Sequence, residues 1–221
     1  MKKKIDFLDL GSQPLANSYL KKNDFNKKEK KYRLKVCFNK VTKLVSIKKT
    51  FSSKIMFNNK YPYRSSMSNT MNFSFKKLAQ NIKFNYKPKK ILEIGSNDGS
   101  FLKNFDKKKT IGVEPCTNVE KIKKKLKFNT IGKYWDTRLA KNILKKFNKV
   151  DLVYSANTIT HIKNLDDVFK AINIVLSDNG ILIIEDPSLL ECLKRNTYDQ
   201  FYNEHIYVFS YLSLRNALKK H

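Results

Sequence analysis

From residue 89 to residue 187, short apolar runs alternate with longer segments that carry apolar residues at helical spacing. Runs rich in Ile, Leu and Val predict buried strands, and the 3.6-residue periodicity between them predicts helices. The predicted strands are residues 91–94, 110–113, 129–131, 150–155 and 180–185. The predicted helices are residues 99–105, 117–126, 137–147 and 165–176. This alternation predicts an α/β fold, with a parallel sheet that has helices on both of its faces.

The two ends of the chain lack this alternation. Residues 1–66 are irregular, with β-like runs only near residues 32–38 and 44–47, and they predict a small N-terminal domain that contains β-structure. At the other end, residues 206–209 predict one more strand, and residues 212–220 predict the start of a helix.

A helix is predicted between these two parts. Ser68 is placed to cap a helix that runs to Phe84, with apolar residues at helical spacing, and Pro88 marks a boundary after it. We therefore expect a connecting helix over residues 67–88 and a main domain over residues 89–221.

Charge is the most unusual feature of the composition. The 221 residues include 46 Lys and Arg against 19 Asp and Glu, a formal net charge of +27, which suggests nucleic acid as a partner. However, only five of the cations are Arg, whose planar fork recognises phosphates and bases better than Lys does. The lysines are also spread along the whole chain. This favours solvated faces, with weak steering of a small anionic substrate as the alternative, and we expect no nucleic-acid partner.

Other features of the composition bound the protein class. A hydrophobic content of 41% excludes a wholly disordered chain. The apolar runs are too short to span a bilayer, so we expect no membrane partner. The three cysteines are far apart in the sequence, which makes a disulfide framework improbable and indicates a cytoplasmic protein.

A candidate ligand-binding loop follows the first predicted strand, in residues 93–100. Gly95 and Gly99 would let the backbone turn sharply and approach a ligand, although a plain strand-to-helix turn explains the glycines equally well. Asn97 departs from the dinucleotide-binding fingerprint, which has Gly at this position. Glu114 ends the next strand about 20 residues after the start of the loop, where a carboxylate can accept the hydroxyls of a ribose.

Further candidates follow the third and fourth predicted strands. Tyr134 and Trp135 come after the third strand, where they could face an adenine or simply belong to the core or surface. Asn157 and His161 follow the fourth strand, at the edge of the sheet where ligands bind. His161 could equally cap or orient the helix that begins near Leu165.

Reactive side chains are concentrated in residues 198–210. Tyr202, Glu204 and His205 place a phenol, a carboxylate and an imidazole within four residues. An imidazole can accept a proton near neutral pH, and a carboxylate can orient it. The segment alone could also be an aromatic-rich strand with a histidine on its surface.

Four segments carry a resemblance to a known family. Residues 93–100 resemble the first motif of class I methyltransferases that use S-adenosylmethionine (AdoMet). Residues 198–210 resemble the Tyr-His-Glu-His-x-x-Tyr-Phe-Ser motif of sugar C-methyltransferases, which act on nucleotide-linked keto-deoxysugars. Residues 10–20 and 61–68 are similar to two further signatures of that family. The resemblance covers essentially the whole chain and implies a Rossmann-like AdoMet-binding sheet.

The resemblance also implies roles for individual residues. His205 would be the base that removes a proton next to the ketone of the sugar, and Glu204 would orient it. Tyr63 and Tyr202 would donate hydrogen bonds to the enolate oxygen. The implied cofactor site comprises Glu93, Gly95, Ser96, Asn97, Asp98, Gly99, Glu114, Pro115, Trp135 and Asn157.

The sequence departs from this family in three places. Members usually carry an N-terminal zinc site of paired Cys-x-x-Cys motifs, but here the partner position of Cys37 is Lys40, so we predict no zinc and no other metal. Asn203 replaces the first His of the Tyr-His-Glu-His motif and leaves His205 as its one imidazole. The family normally continues into a C-terminal domain, so we expect the main domain to be truncated at its C-terminus.

Two alternatives share the AdoMet-binding loop. An O- or N-methyltransferase of a small molecule would need no base for a carbon acid, so it could dispense with Tyr63 and His205. An inactive AdoMet-binding fragment would explain the missing cysteines and the missing C-terminal domain.

Overall fold

The structure, a computed structural model, describes residues 3–116, 118 and 128–221. The described strands are, in chain order, β1 (Lys4–Gln13), β2 (Tyr32–Asn39), β3 (Val45–Ile47), β4 (Ile91–Ile94), β5 (Thr110–Val113), β6 (Asn129–Ile131), β7 (Val150–Ala156), β8 (Leu176–Glu185) and β9 (Tyr207–Val208). The described helices are α1 (Ser53–Met56), α2 (Asn69–Asn85), α3 (Thr137–Phe147), α4 (Leu165–Val175), α5 (Leu189–Lys194) and α6 (Tyr211–Leu218). The predicted helix over residues 117–126 lies outside the described residues.

The described residues fall into two compact units. Unit 1 takes the ranges Met1–Met56, Ile159–Leu165 and Asp186–His221, and unit 2 takes the ranges Phe57–Thr158 and Asp166–Glu185. The domain boundaries that we derived from the sequence do not interleave in this way, and they stay a prediction.

Unit 2 contains a parallel five-stranded sheet in the order β6-β5-β4-β7-β8. This order is Rossmann-like and confirms the predicted fold class. The carboxyl ends of parallel strands lie at one edge of a sheet, so the loops after β4, β5 and β7 meet there. This edge is where the predicted cofactor residues are found.

Helix α2 packs on this sheet and is well specified by its sequence. The hydroxyl of Ser68, the residue before the helix, accepts a hydrogen bond from the backbone N–H of Met71, as the predicted cap requires. Its buried residues join one apolar cluster with side chains from β4, β7 and the loop after β4. That cluster comprises Phe75, Ala79, Ile82, Ile91, Phe101, Leu102, Phe105, Leu152 and Tyr154.

The predicted helix over residues 99–105 is wrong. The chain forms only a single 3₁₀ turn there, at Leu102–Asn104. Gly99 has a left-handed φ of +81°, and Phe105 is already extended, so only a short turn fits between them. Phe101, Leu102 and Phe105 are buried nonetheless, because this turn fills the core beneath α2.

Unit 1 contains an antiparallel four-stranded sheet in the order β1-β2-β3-β9. The runs predicted near residues 32–38 and 44–47 are confirmed as β2 and β3. The late strand predicted at residues 206–209 is confirmed as β9, and it pairs with β3 of the N-terminal region.

Strand β1 was not predicted from the sequence because a bulge breaks its alternation. The pairing with β2 shifts by one residue between Asp6 and Leu8. Ile5 and Phe7 therefore face away from the core, while Leu8 packs against it. A period-two pattern does not continue across such a shift, so the segment reads as irregular.

No helix of the described residues is long and apolar enough to cross a membrane. All three cysteines are buried.

We expect the substitution Ser68→Ala to lower the free energy of unfolding by about 1 kcal/mol, because the amide of Met71 loses its capping acceptor. Ser68→Asp should unfold like the wild type, since an aspartate at this position caps a helix equally well. Urea denaturation checks both variants. Equal losses in the two variants would contradict the capping role.

Candidate active site

A sharp bend after β4 carries most of the predicted cofactor residues. Gly95, Asn97 and Gly99 adopt left-handed φ values of +75°, +41° and +81°. The backbone N–H groups of Gly95 and Ser96 both donate to the carbonyl oxygen of Val113 at the end of β5, over 2.8 and 3.0 Å. The bend is therefore fixed to the neighbouring strand by backbone contacts.

Gly95 must be glycine for a second reason, which its sequence context does not reveal. A Cβ atom built on Gly95 would lie 2.0 Å from Oγ1 of Thr158, in the segment after β7. That hydroxyl is held by a 2.9 Å hydrogen bond to the carbonyl oxygen of Ala156. The bend thus packs directly against the next loop along the sheet edge.

Glu114 follows β5 and supports the bend from the other side. One carboxylate oxygen accepts a hydrogen bond from the backbone N–H of Asn97 at 2.9 Å, and the other accepts from the backbone N–H of Cys116 at 2.8 Å. A carboxylate oxygen can accept more than one hydrogen bond. Glu114 thus holds the bend, and its contact with the hydroxyls of a ribose stays a prediction.

Glu93, the acidic residue of the motif, is buried in the sheet. Its Oε2 atom has no hydrogen-bond partner within the described part of the chain. Burial raises its pKa well above the ordinary value, and the nearby carboxylates of Glu114 and Asp98 raise it further. A buried carboxyl group beside two further carboxylates fits a ligand that brings positive charge, and AdoMet carries an ammonium and a sulfonium group.

Asn97 and Asp98 turn their side chains toward residues 63–66. They accept hydrogen bonds from the backbone N–H groups of Ser65 and Ser66, respectively. Tyr63, predicted to bind the acceptor, lies in this segment with its side chain 44% exposed. The structure thus brings Tyr63 together with the predicted cofactor loop.

Two other predicted cofactor residues lie farther along unit 2. Trp135 is buried, and its indole N–H donates to the carbonyl oxygen of Val168 over 3.3 Å, so the ring serves the core. Asn157 is exposed after β7, with a left-handed φ of +47° and its backbone N–H bonded to Glu185. Contact of either side chain with a cofactor stays a prediction.

Unit 1 holds the second cluster, which is centred on His205. Nδ1 of its ring lies 3.0 Å from the carbonyl oxygen of Gln200, and Nε2 lies 2.9 Å from the hydroxyl oxygen of Tyr202. Since a carbonyl can only accept, Nδ1 carries the hydrogen. Nε2 is then the acceptor for the Tyr202 hydroxyl.

The imidazole of His205 is held in its neutral form. Burial lowers its pKa to about 3, and a charge on the neighbouring His161 acts in the same direction. The two rings have centroids 5.0 Å apart, and Nδ1 of His161 lies 2.8 Å from the carbonyl oxygen of Glu204. A neutral imidazole has a lone pair that can receive a proton.

Glu204 and Asn203 bind the segment after β1. Both carboxylate oxygens of Glu204 accept from Nδ2 of Asn17 at 2.9 Å, and Nδ2 of Asn203 donates to the carbonyl oxygen of Pro14. The sequence singled out residues 10–20 only as a signature and gave Asn17 no role. The carbonyl group of Gln200 was also missed, because a backbone acceptor leaves no trace in side-chain identity.

Cys37 is the cysteine whose partner in a Cys-x-x-Cys pair is replaced by Lys40. Its Sγ atom is buried and lies 3.4 Å from Oγ of Ser46. No group of three or more His, Cys, Asp or Glu residues is placed to hold a metal ion in the described ranges. Cys37 and the other side chains of the described residues therefore do not fit a zinc ion.

Two family models match the chain. One is described as "Methyltransferase domain" and matches residues 64–221. The other is described as "Putative zinc binding domain" and matches residues 1–57, the region that contains Cys37.

Individual relatives are more distant. The C-methyltransferase NovU of Streptomyces niveus is 25% identical over 223 residues, which cover 98% of this chain and 53% of that protein. The chain thus spans about half the length of this curated relative.

Solved structures that share the fold include two methyltransferases. A SAM-dependent methyltransferase of Thermotoga maritima is 21% identical with a TM-score of 0.51, over 67% of this chain and 70% of that one. The plantazolicin methyltransferase BpumL, solved with SAH, is 17% identical with a TM-score of 0.51, over 67% and 62% of the two chains.

We expect Gly95→Ala to destabilise the protein by more than Gly11→Ala. Both glycines have a φ near +75°, but only the new methyl group at position 95 would collide with Thr158, whereas nothing lies within 4 Å at position 11. The backbone strain common to both should cost about 1–2 kcal/mol. Urea denaturation measures the difference.

A double-mutant cycle tests the cause of that difference. Thr158→Gly removes the colliding atoms, so Gly95→Ala should cost less in this background, with an interaction energy of about 0.5–3 kcal/mol. Strict additivity would show that the two residues do not collide.

We expect Glu93→Gln to gain stability over the wild type as the pH rises. The pKa of Glu93 in the folded state is raised above 4.5, its ordinary value. The stability that comes from the neutral carboxyl group is therefore fully present below pH 4.5 and is lost as the pH rises through the folded-state pKa. Glutamine mimics the neutral carboxyl group and cannot ionise. Urea unfolding between about pH 5 and 9 follows the difference.

Glu191→Gln is the matched control, since Glu191 is half exposed on α5. The effect of Glu93→Gln is counted relative to this control. A difference between the two variants that does not change with pH would mean that burial leaves the pKa of Glu93 at its ordinary value.

Proposed function

The chain belongs to the methyltransferase-domain family, and on this premise we propose that it transfers the methyl group of AdoMet to a carbon atom of a nucleotide-linked keto-deoxysugar. The family match confirms the predicted enzyme class. The name of the NovU relative supports carbon as the acceptor, and the signatures of the sugar C-methyltransferases support the sugar.

AdoMet supplies an electrophilic methyl group on a sulfonium. Residues 93–99 would hold it at the edge of the parallel sheet, where Glu114 would accept its ribose hydroxyls. Glu93 and Asp98 would face its cationic end, and this charge would replace the missing partner of the Glu93 carboxyl group. Pro115, Trp135 and Asn157 complete the proposed cofactor site.

Methylation of carbon requires a carbanion equivalent at the acceptor. The base removes the proton next to the ketone, and the electron pair of the broken C–H bond moves into an enolate. The enolate carbon then takes the methyl group as the carbon–sulfur bond breaks, which leaves S-adenosylhomocysteine (SAH). Alignment of the carbon with the methyl group carries much of the rate.

The observation that carries this proposal is the neutral His205 with Nε2 as its acceptor. The proton from carbon ends on Nε2, directly or through the hydroxyl of Tyr202. Once Nε2 is protonated it becomes a donor, and the hydroxyl hydrogen of Tyr202 is released to bond the enolate oxygen. Tyr63 would donate a second bond to that oxygen, and Glu204 would fix the segment that carries the base.

We expect His205→Asn to lose about 10²–10⁴-fold in the rate of methyl transfer, the usual contribution of a general base. Its affinity for AdoMet, measured by calorimetry, should stay within about twofold of the wild type, because the proposed cofactor loop does not contain His205. His221→Asn, which changes the exposed terminal histidine, is the matched control and should keep full activity. The assay uses a nucleoside-diphosphate-linked 4-ketosugar as the acceptor and labelled AdoMet as the methyl donor.

Proton exchange tests the step itself. In D₂O with SAH in place of AdoMet, the wild type should exchange the proton next to the ketone, and His205→Asn should not. Full activity in His205→Asn would remove this residue as the base. Methylation of oxygen or nitrogen instead of carbon would support the O- or N-methyltransferase alternative.

A further inference from the structure

The segment from Tyr63 to Ser66 is joined to the proposed cofactor loop by three hydrogen bonds. The N–H of Ser65 donates to Oδ1 of Asn97 over 3.2 Å, and Nδ2 of Asn97 donates back to the carbonyl oxygen of Tyr63 over 3.2 Å. The N–H of Ser66 donates to Oδ2 of Asp98 over 3.0 Å. All five residues belong to unit 2.

Asn97 meets two requirements that no other residue type meets together. Its φ of +41° favours glycine or asparagine, and glycine occupies this position in the dinucleotide fingerprint. Asparagine adds one acceptor and one donor, and both are used on the Tyr63 segment. Its backbone N–H is bonded to Glu114 at 2.9 Å, so Asn97 connects the ribose-binding carboxylate to that segment.

The two ends of the segment are held differently. Ser66 is also fixed from α2, because Nδ2 of Asn72 donates to its carbonyl oxygen over 2.9 Å. The carbonyl oxygen of Tyr63 is bonded by Asn97 and by the guanidinium of the adjacent Arg64. Asn97 is therefore the link that ties the Tyr63 end to the loop.

We propose that Asn97 and Asp98 are positioning residues that couple the cofactor loop to the acceptor-binding segment. A ligand that orders the bend also orders Tyr63, so bound cofactor raises the affinity for the acceptor. Coupling of this kind is reciprocal and is commonly worth a 5–150-fold change in affinity. The inference rests on the proposed function in two respects, that the bend binds AdoMet or SAH and that Tyr63 contacts the acceptor.

Hydrogen exchange with SAH as the probe tests this coupling without turnover. In the wild type, SAH should slow amide exchange in peptides that span residues 61–68. Asn97→Gly keeps the left-handed backbone but removes both side-chain bonds, so at an SAH concentration that saturates the variant by calorimetry the slowing there should be much smaller, and what remains should come from Ser66, which Asp98 still holds. Asn97→Asp keeps the acceptor for Ser65 and loses the donor to Tyr63, and it should give an intermediate response.

Asn148→Gly is the matched control. Asn148 also has a left-handed φ, +62°, but it lies at the end of α3. This variant should retain the wild-type response in residues 61–68. Slowing of exchange in Asn97→Gly equal to that in the wild type would overturn the proposal, and so would a wild type that binds SAH without any slowing.

Acceptor binding separates this inference from the proposed reaction. SAH should tighten binding of a 4-ketosugar nucleotide by about 5–150-fold in the wild type and by much less in Asn97→Gly. If exchange responds to SAH but no 4-ketosugar binds, the coupling stands and the proposed acceptor is wrong. If SAH itself does not bind, both the loop assignment and the coupling fail.

Discussion

The bend after β4 depends on two backbone amides that share one acceptor. The N–H groups of Gly95 and Ser96 both point at the carbonyl oxygen of Val113, so the chain must turn at once when it leaves the strand. That turn forces left-handed conformations and excludes a Cβ at position 95, where Thr158 already lies. The parallel strand order makes the arrangement possible, because it sets the ends of β4, β5 and β7 side by side.

Burial shifts the pKa values of Glu93 and His205 in opposite directions, and in both groups it disfavours the charged form. It raises the pKa of Glu93 and lowers the pKa of His205, and each shift favours the uncharged form. In Glu93 the shift can be reversed by a cationic ligand, which supplies the missing charge. In His205 it leaves a lone pair that is weakly basic, so the proposed removal of a proton would have to be assisted by stabilisation of the enolate. In the proposed reaction, the hydroxyl of Tyr202 would provide this stabilisation by donating a hydrogen bond to the enolate oxygen.

The sequence predicts features that depend on local chemistry and fails where distant contacts decide. The cap at Ser68 and the strands of unit 2 follow from residue type and periodicity. The turn at residues 99–105 was expected to be a helix, because apolar spacing does not report the φ of Gly99. The bulge in β1, the collision behind Gly95 and the bond from Asn17 to Glu204 all depend on residues brought together by the fold.

An apolar core supports the residues on both sides of His205. This support matters because Cys37 has no Cys-x-x-Cys partner with which to bind zinc. Phe201 and Val208 pack with Val36 and Val45 in one cluster, so the residues on either side of His205 are anchored on β2 and β3. The N–H of Ile47 also donates to the carbonyl oxygen of Ile206 at 2.9 Å. Apolar packing and backbone pairing can therefore position the imidazole in a unit whose described residues do not fit a zinc ion.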